Sequence, residues 1–129
     1  MLRSRALSYA ILAATEVAQQ SNGAGVQSHT VARTYDLPSA YGAKIMGQLA
    51  KARVLRSMRG PNGGFTLARP ANKITLLEIF EAVNGPVSGG DAPELPDAIR
   101  RAVKAATGSA ADVIRNRLEG VTLASLLKK

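Results

Sequence analysis

Residues 56–64 read Arg-Ser-Met-Arg-Gly-Pro-Asn-Gly-Gly, two guanidinium groups three positions apart beside a run of turn formers. A guanidinium is a planar fork of N–H donors that fits phosphate oxygens, and it is favoured in a narrow, electronegative minor groove. Gly60 and Gly63 let the backbone reverse and come close to a phosphate, and Asn62 adds an amide at the tip. Upstream, Ser39, Tyr41 and Lys44 offer two hydroxyls and an ammonium within six residues, and Lys51 follows two turns later. Ser28, read as a helix N-cap, is placed to bring backbone N–H groups to a further phosphate. This chemistry is recognition of a polyanion. With one histidine, no cysteine and no paired acid and base, little is left for catalysis, and an enzyme is not expected. The glycine run lacks the Gly-Lys-Ser/Thr ending of a nucleotide-binding loop.

The placement of charge supports the same chemistry. The 129 residues carry a net charge of +8. Residues 1–70 hold nine cations (Arg3, Arg5, Arg33, Lys44, Lys51, Arg53, Arg56, Arg59, Arg69) against Glu16 and Asp36, a net +7, which leaves +1 for residues 71–129. Because a partner's field is felt over about 8 Å at physiological salt, a basic half matters more than a basic total.

The elements that must hold these groups follow from periodicity. Leu7, Ile11, Ala14 and Ala18 recur three or four apart and predict a helix over residues 4–20, stopped by Ser21-Asn22-Gly23. Val31, Ala32 and Tyr35 predict a short second helix behind Ser28, closed by Asp36-Leu37-Pro38. Pro38 suits the first turn of a third helix, with Tyr41, Ile45 and Leu49 at i, i+4, i+8. Residues 54–58 and 65–67 are extended candidates around the turn-rich segment and predict a hairpin with a basic tip. Thr75-Leu76-Leu77-Glu78 has the form of a capping box and opens a helix that Gly85-Pro86 ends. Residues 87–96 have loop composition. Ile99, Val103, Val113, Ile114 and Leu118 then mark one long or broken helix whose apolar stripe reads as a pairing seam, and Thr122 caps a last turn. Aromatic content is only 4%, so the core is built from Ala, Val, Leu and Ile.

The predicted fold is mainly α with a small β-hairpin, a winged helix-turn-helix head over residues 1–85, a loop at 86–97 and a dimerisation helix with a C-terminal turn at 98–129. In that order the third helix enters the major groove and the hairpin lies along backbone or minor groove, so the expected partner is double-stranded DNA. The expected DNA contacts are Ser28, Ser39, Tyr41, Lys44, Lys51, Arg56, Arg59, Gly60, Asn62 and Gly63. A winged helix that binds protein is the alternative, and the +7 first half argues against it.

Several of these segments resemble the Rrf-two family of bacterial winged-helix regulators, which includes the IscR, NsrR and CymR types. The resemblance is carried by Ser4-Arg5-Ala6-Leu7-Ser8-Tyr9-Ala10, Leu49-Ala50-Lys51-Ala52, Ser57-Met58-Arg59-Gly60-Pro61-Asn62-Gly63-Gly64-Phe65-Thr66-Leu67-Ala68-Arg69, Ile74-Thr75-Leu76-Leu77-Glu78-Ile79 and Ala82-Val83-Asn84-Gly85. It implies a homodimeric transcriptional regulator, expected to be a repressor, with the long C-terminal helix pairing across a two-fold axis. Cluster-binding members carry three cysteines after the position of Gly85. This sequence has none, and places Ser8 where some of those members have a carboxylate ligand. The expected chain is therefore a cysteine-free member with no cofactor and no metal. His29 has no second ligand nearby, and Asp91, Glu94 and Asp97 read as solvated carboxylates. An effector, small molecule or protein, would have to act near residues 86–110 without thiols. No segment approaches the roughly 20 apolar residues of a membrane span, and the expected compartment is the cytoplasm.

Overall fold

The computed structural model describes residues 4–20, 25–60 and 63–127. Helix α1 spans Arg5–Gln19, α2 Ser28–Thr34 and α3 Ser39–Lys51; strands β1 (Leu55–Met58) and β2 (Gly64–Leu67) follow. A 3-10 turn at Ala71–Lys73 leads into α4 (Leu76–Asn84), α5 (Asp97–Glu119) and α6 (Leu123–Leu127). This is the expected mainly helical chain with one hairpin. The Ser21-Asn22-Gly23 stop, Pro61 and Asn62 lie outside the described residues. No helix among the described residues is long and apolar enough to cross a membrane.

Helix α1 is the centre of the packing and touches α3, α4, α6 and β2. Ser4 caps it by accepting the Leu7 N–H at 3.0 Å. Its buried face is Leu7, Ala10, Ala13, Ala14 and Val17, while Ile11 and Ala18 are only half-buried. The face is thus turned from the one expected, because three alanines let the neighbouring helices come close where larger side chains would hold them off. The same device joins α2 to α3. A Cβ on Gly42 would lie 2.9 Å from that of Ala32, so only glycine permits this crossing. Two helix starts differ from expectation. Gln27 is the N-cap of α2, without a side-chain capping bond, and Ser28 is the first helical residue. Pro38 is itself the N-cap of α3.

The hairpin pairs Leu55 with Leu67, Arg56 with Thr66, Ser57 with Phe65 and Met58 with Gly64. The turn end of β2 is tied down by a third extended segment that the periodicity does not reveal. Val26 and Phe65 exchange two backbone hydrogen bonds of 2.9 Å, and the Gln27 side-chain amide donates to the Gly63 carbonyl. Gly64 sits at this junction with φ +132°, where an added Cβ would meet the Val26 carbonyl oxygen at 2.8 Å.

Downstream, the capping box is formed as expected. Glu78 N–H donates to Thr75 Oγ1 at 3.2 Å and Thr75 N–H to Glu78 Oε1 at 3.1 Å. Arg69 adds a clasp at the end of β2. Its guanidinium pairs with Glu78 and donates to the carbonyls of Lys73 at 3.0 Å and Arg53 at 3.2 Å. Burial alone would raise the Glu78 carboxyl, but the Arg69 hydrogen bond, the Thr75 N–H and the attraction of the guanidinium outweigh it and hold the group below its ordinary value.

The tail does not stand apart from the head. Leu76 N–H donates to the Val121 carbonyl and Leu123 N–H to that of Ile74, both at 2.8 Å, and Leu123 is fully buried in the same core as Ile74 and Ile79. Residues 121–127 therefore return to pack against the first 85 residues, and α5 is an unbroken helix before that return.

Two outcomes test this packing. Gly64→Ala should cost about 1–3 kcal/mol, since the new methyl meets backbone in a left-handed conformation, and should raise amide exchange at Val26 and Phe65. Glu78→Gln keeps the capping geometry but removes the charge. With a depressed folded pKa, the carboxylate stabilises the fold above the unfolded-state value and stops doing so as pH falls through the folded one. About a third of each partner is exposed, so screening limits the gap between wild type and variant to about 1 kcal/mol at neutral pH. Denaturant unfolding should show the gap closing on acidification from roughly pH 5 to 3.

Candidate nucleic-acid interface

Helix α3 turns Gly42, Ile45, Met46 and Leu49 inward. Ser39, Ala40, Ala43, Lys44, Gly47 and Lys51 are exposed on the other side. Of the candidates on this helix, Ser39, Lys44 and Lys51 share the open face. Tyr41 is half-buried against the core, its ring edge-on to Tyr9 with centroids 5.5 Å apart. Gly42 likewise serves helix crossing rather than the open face. What remains outside is two ammonium groups on a helix otherwise clad in Ala, Gly and Ser, a narrow rod that can sink far into a groove.

On the wing, Leu55 is buried, whereas Arg56, Ser57, Met58, Arg59 and Gly60 are all exposed. The strand roots in the core and its outer end stands free with two guanidiniums. Gly63 departs from expectation. It is buried, its N–H donates to the Gly60 carbonyl at 2.9 Å, and its own carbonyl accepts from Gln27, so it closes the turn and has nothing left for a phosphate. Ser28 lies half-buried in the first turn of α2. Asn62 is outside the described residues.

Gln27, Arg53 and Arg69 were missed by the sequence reading as structural actors. A two-residue Val-Gln segment is too short to show alternation, so nothing marks Gln27. Arg69 counts as one of the nine cations of the first half, yet it faces Glu78 and two carbonyls, and the outward-facing charge is smaller by one.

The apolar stripe of α5 divides into two. Ile99 and Val113 are 53% and 68% exposed, and Val103 is exposed between them, with Ala106 and Ala110 on the same side. Ile114 is half-buried, and Leu118 packs against the head's own core, which removes it from the expected seam. Arg115 fixes α5 to α4 through Glu81 at 2.8 Å, and Glu81 also accepts the Val87 N–H at 2.8 Å.

Residues 3–129 match the model of the Rrf2 family, described as "Iron-dependent Transcriptional regulator". The chain is similar to the HTH-type transcriptional regulator IscR of Cereibacter sphaeroides, with 35% identity over 82 residues, 62% of this chain and 53% of that one. It thus spans about half the length of the curated relatives it matches. Its fold is similar to that of CymR, the global cysteine regulator of B. subtilis, with TM-score 0.75 and 24% identity over 98% of this chain and 96% of that one. T. potens IscR superposes with TM-score 0.72 at 24% identity, over 98% and 86% of the two chains.

The iron in the family's description finds no fitting donor set here. The sequence contains no cysteine, so none of its residues can supply a thiolate. Among the described residues no three His, Asp or Glu side chains come together, and Asp91, Glu94, Asp97 and His29 each face solvent. The wing, the helix-turn-helix and the matched span agree on one assignment: the chain belongs to the Rrf2 family of transcriptional regulators.

Proposed function

We propose that the chain acts as a homodimer that binds duplex DNA sequence-specifically and represses transcription by occupying its site. The observation that carries this reading is the outward set Ser39, Lys44 and Lys51 on α3 beside a wing whose Arg56 and Arg59 are exposed. In this arrangement α3 enters the major groove, Lys44 reaches guanine or phosphate, and Arg59 follows the backbone into the minor groove with Gly60 at the turn. Ser28 stands beside a flanking phosphate. Few side chains on α3 can read bases, so much of the specificity rests on DNA shape. The cytoplasm, where bacterial DNA lies, is the compartment this role requires.

The second copy is supplied by α5. Ile99, Val103 and Val113 recur along one exposed side of a 23-residue helix, about 35 Å long at 1.5 Å per residue. An exposed apolar stripe of this length is buried most economically against its own symmetry mate, and a two-fold pair of heads addresses two half-sites. The head, residues 1–85 with the returning tail, is the reading unit, and α5 is the pairing unit.

Arg59→Ala should weaken binding to a selected operator fragment by about 1–3 kcal/mol with the dimer intact, as measured by fluorescence anisotropy. For the wild type, log K should fall linearly with log salt, by about 0.9 for each phosphate neutralised. Affinity indifferent to salt would point to a protein partner and overturn the reading. Val103→Asp with Val113→Asp should give a folded monomer in sedimentation equilibrium, because both positions face solvent in the single chain; a dimer that persists would move the interface elsewhere.

A further inference from the structure

We propose that the cleft between the end of α3 and the wing strands binds a small organic anion, its carboxylate or phosphate head held by Arg53 and Arg56 and its apolar body seated on Ala50 and Ala68 above the buried Leu55. The cleft is open to solvent and offers about 550 Å³, and Ser57 and the clasping Arg69 complete its wall. That volume lies within the roughly 300–1,000 Å³ of small-molecule sites, and an apolar floor with a few convergent polar groups is their usual lining.

The backbone of Arg53 supplies an independent argument. Helix α3 ends in a Schellman turn: Val54 N–H donates to the Leu49 carbonyl and Arg53 N–H to that of Ala50, both at 3.0 Å. The residue after the cap of such a turn must be left-handed, and Arg53 has φ +64°. Glycine takes that conformation without steric cost and is the usual occupant. An arginine there carries strain that the turn does not need. The protein also spends another side chain on the spot, since Arg69 donates through Nε and Nη2 to the Arg53 carbonyl at 3.3 and 3.2 Å. What this placement achieves is a second arginine lining the cleft together with Arg56. Strain held in place by surrounding structure is a mark of a functional position.

Charge points to an anion. Arg69 is neutralised by Glu78, and among the described residues no carboxylate pairs with Arg53 or Arg56. A helix C-terminus ordinarily repels an anion through its unpaired carbonyls. Here the Schellman bonds and the Arg69 clasp occupy the carbonyls of Leu49, Ala50 and Arg53, so the guanidiniums set the local sign. Two of them offer bidentate forks to a carboxylate or a phosphate. The site lies at the far end of α3 from Ser39, some 18 Å away by helix rise, outside the part of the helix that addresses base edges.

The test is amide-resolved NMR titration of the full chain with octanoate, with phenyl phosphate and with inorganic phosphate, to about 10 mM, well above the micromolar range of many specific ligands. The expected result is saturable shifts at residues 53–57 and 68 with one or both organic anions, the stronger one identifying the head group. Inorganic phosphate, which has no body for the apolar floor, should bind more weakly. Arg53→Gly should raise the Tm by relieving the left-handed strain and weaken the organic anion by about tenfold or more. Arg56→Gln should weaken it similarly without raising the Tm. No saturable shift, shifts equal for inorganic phosphate, or shifts that survive Arg53→Gly would each overturn the proposal. Loss of duplex affinity in Arg53→Gly with no small anion bound would do so as well, assigning the cleft to DNA backbone. Because the titration contains no DNA, its failure leaves the duplex-binding reading untouched, and failure of duplex binding leaves the cleft untouched.

Discussion

Close approach of backbones at small residues is the constraint on which this molecule depends. With almost no aromatic side chains, the core cannot be filled by a few large groups, and the apolar area it buries must come from many short contacts at high density. Ala10, Ala13 and Ala14 on α1, and Gly42 opposite Ala32, set how near the helices lie. Because α1 touches α3, α4, α6 and β2, that spacing fixes the direction in which α3 faces outward and where the wing departs. The groups offered to a partner are therefore placed by residues with nothing polar to offer.

A second layer of control comes from polar groups that tie the irregular segments. Gln27 and Val26 hold the turn end of the wing's second strand, and Arg69 gathers the end of α3, the 3-10 turn and the start of α4. Each of these ties joins segments remote in sequence but adjacent in space. The apolar core supplies most of the free energy, and the ties select one geometry among those the core would tolerate.

What the sequence made legible and what it hid follow from the same distinction. The helices α3 and α4, the hairpin and the capping box at Thr75 and Glu78 are local patterns, decided by spacing and turn chemistry within a dozen residues, and they were readable. The exposed cations Lys44, Lys51, Arg56 and Arg59 were readable because the opposite helix face or strand root was apolar. The inward turn of Tyr41 depends on Tyr9, 32 positions away, and Gly63 is buried by Gln27, so neither fate is written near the residue concerned. Leu118 and Leu123 looked like parts of a free-standing tail because their apolar spacing cannot say which surface it will meet. Arg53 looked like one more cation, since a dihedral angle leaves no trace in composition.

The return of residues 121–127 to the head has a mechanical consequence. A helix joined to a domain at one end only can pivot like an arm on a hinge. Here α5 leaves the head after the loop and is stitched back into it by Leu123 and the strand-like exchange with Ile74 and Leu76, so its far end is clamped, with Arg115 adding a tie to Glu81 one turn before that end. It behaves as a strut. In the proposed dimer, a shift of one such helix against its mate would carry the attached head with it, and with it the face that bears α3 and the wing.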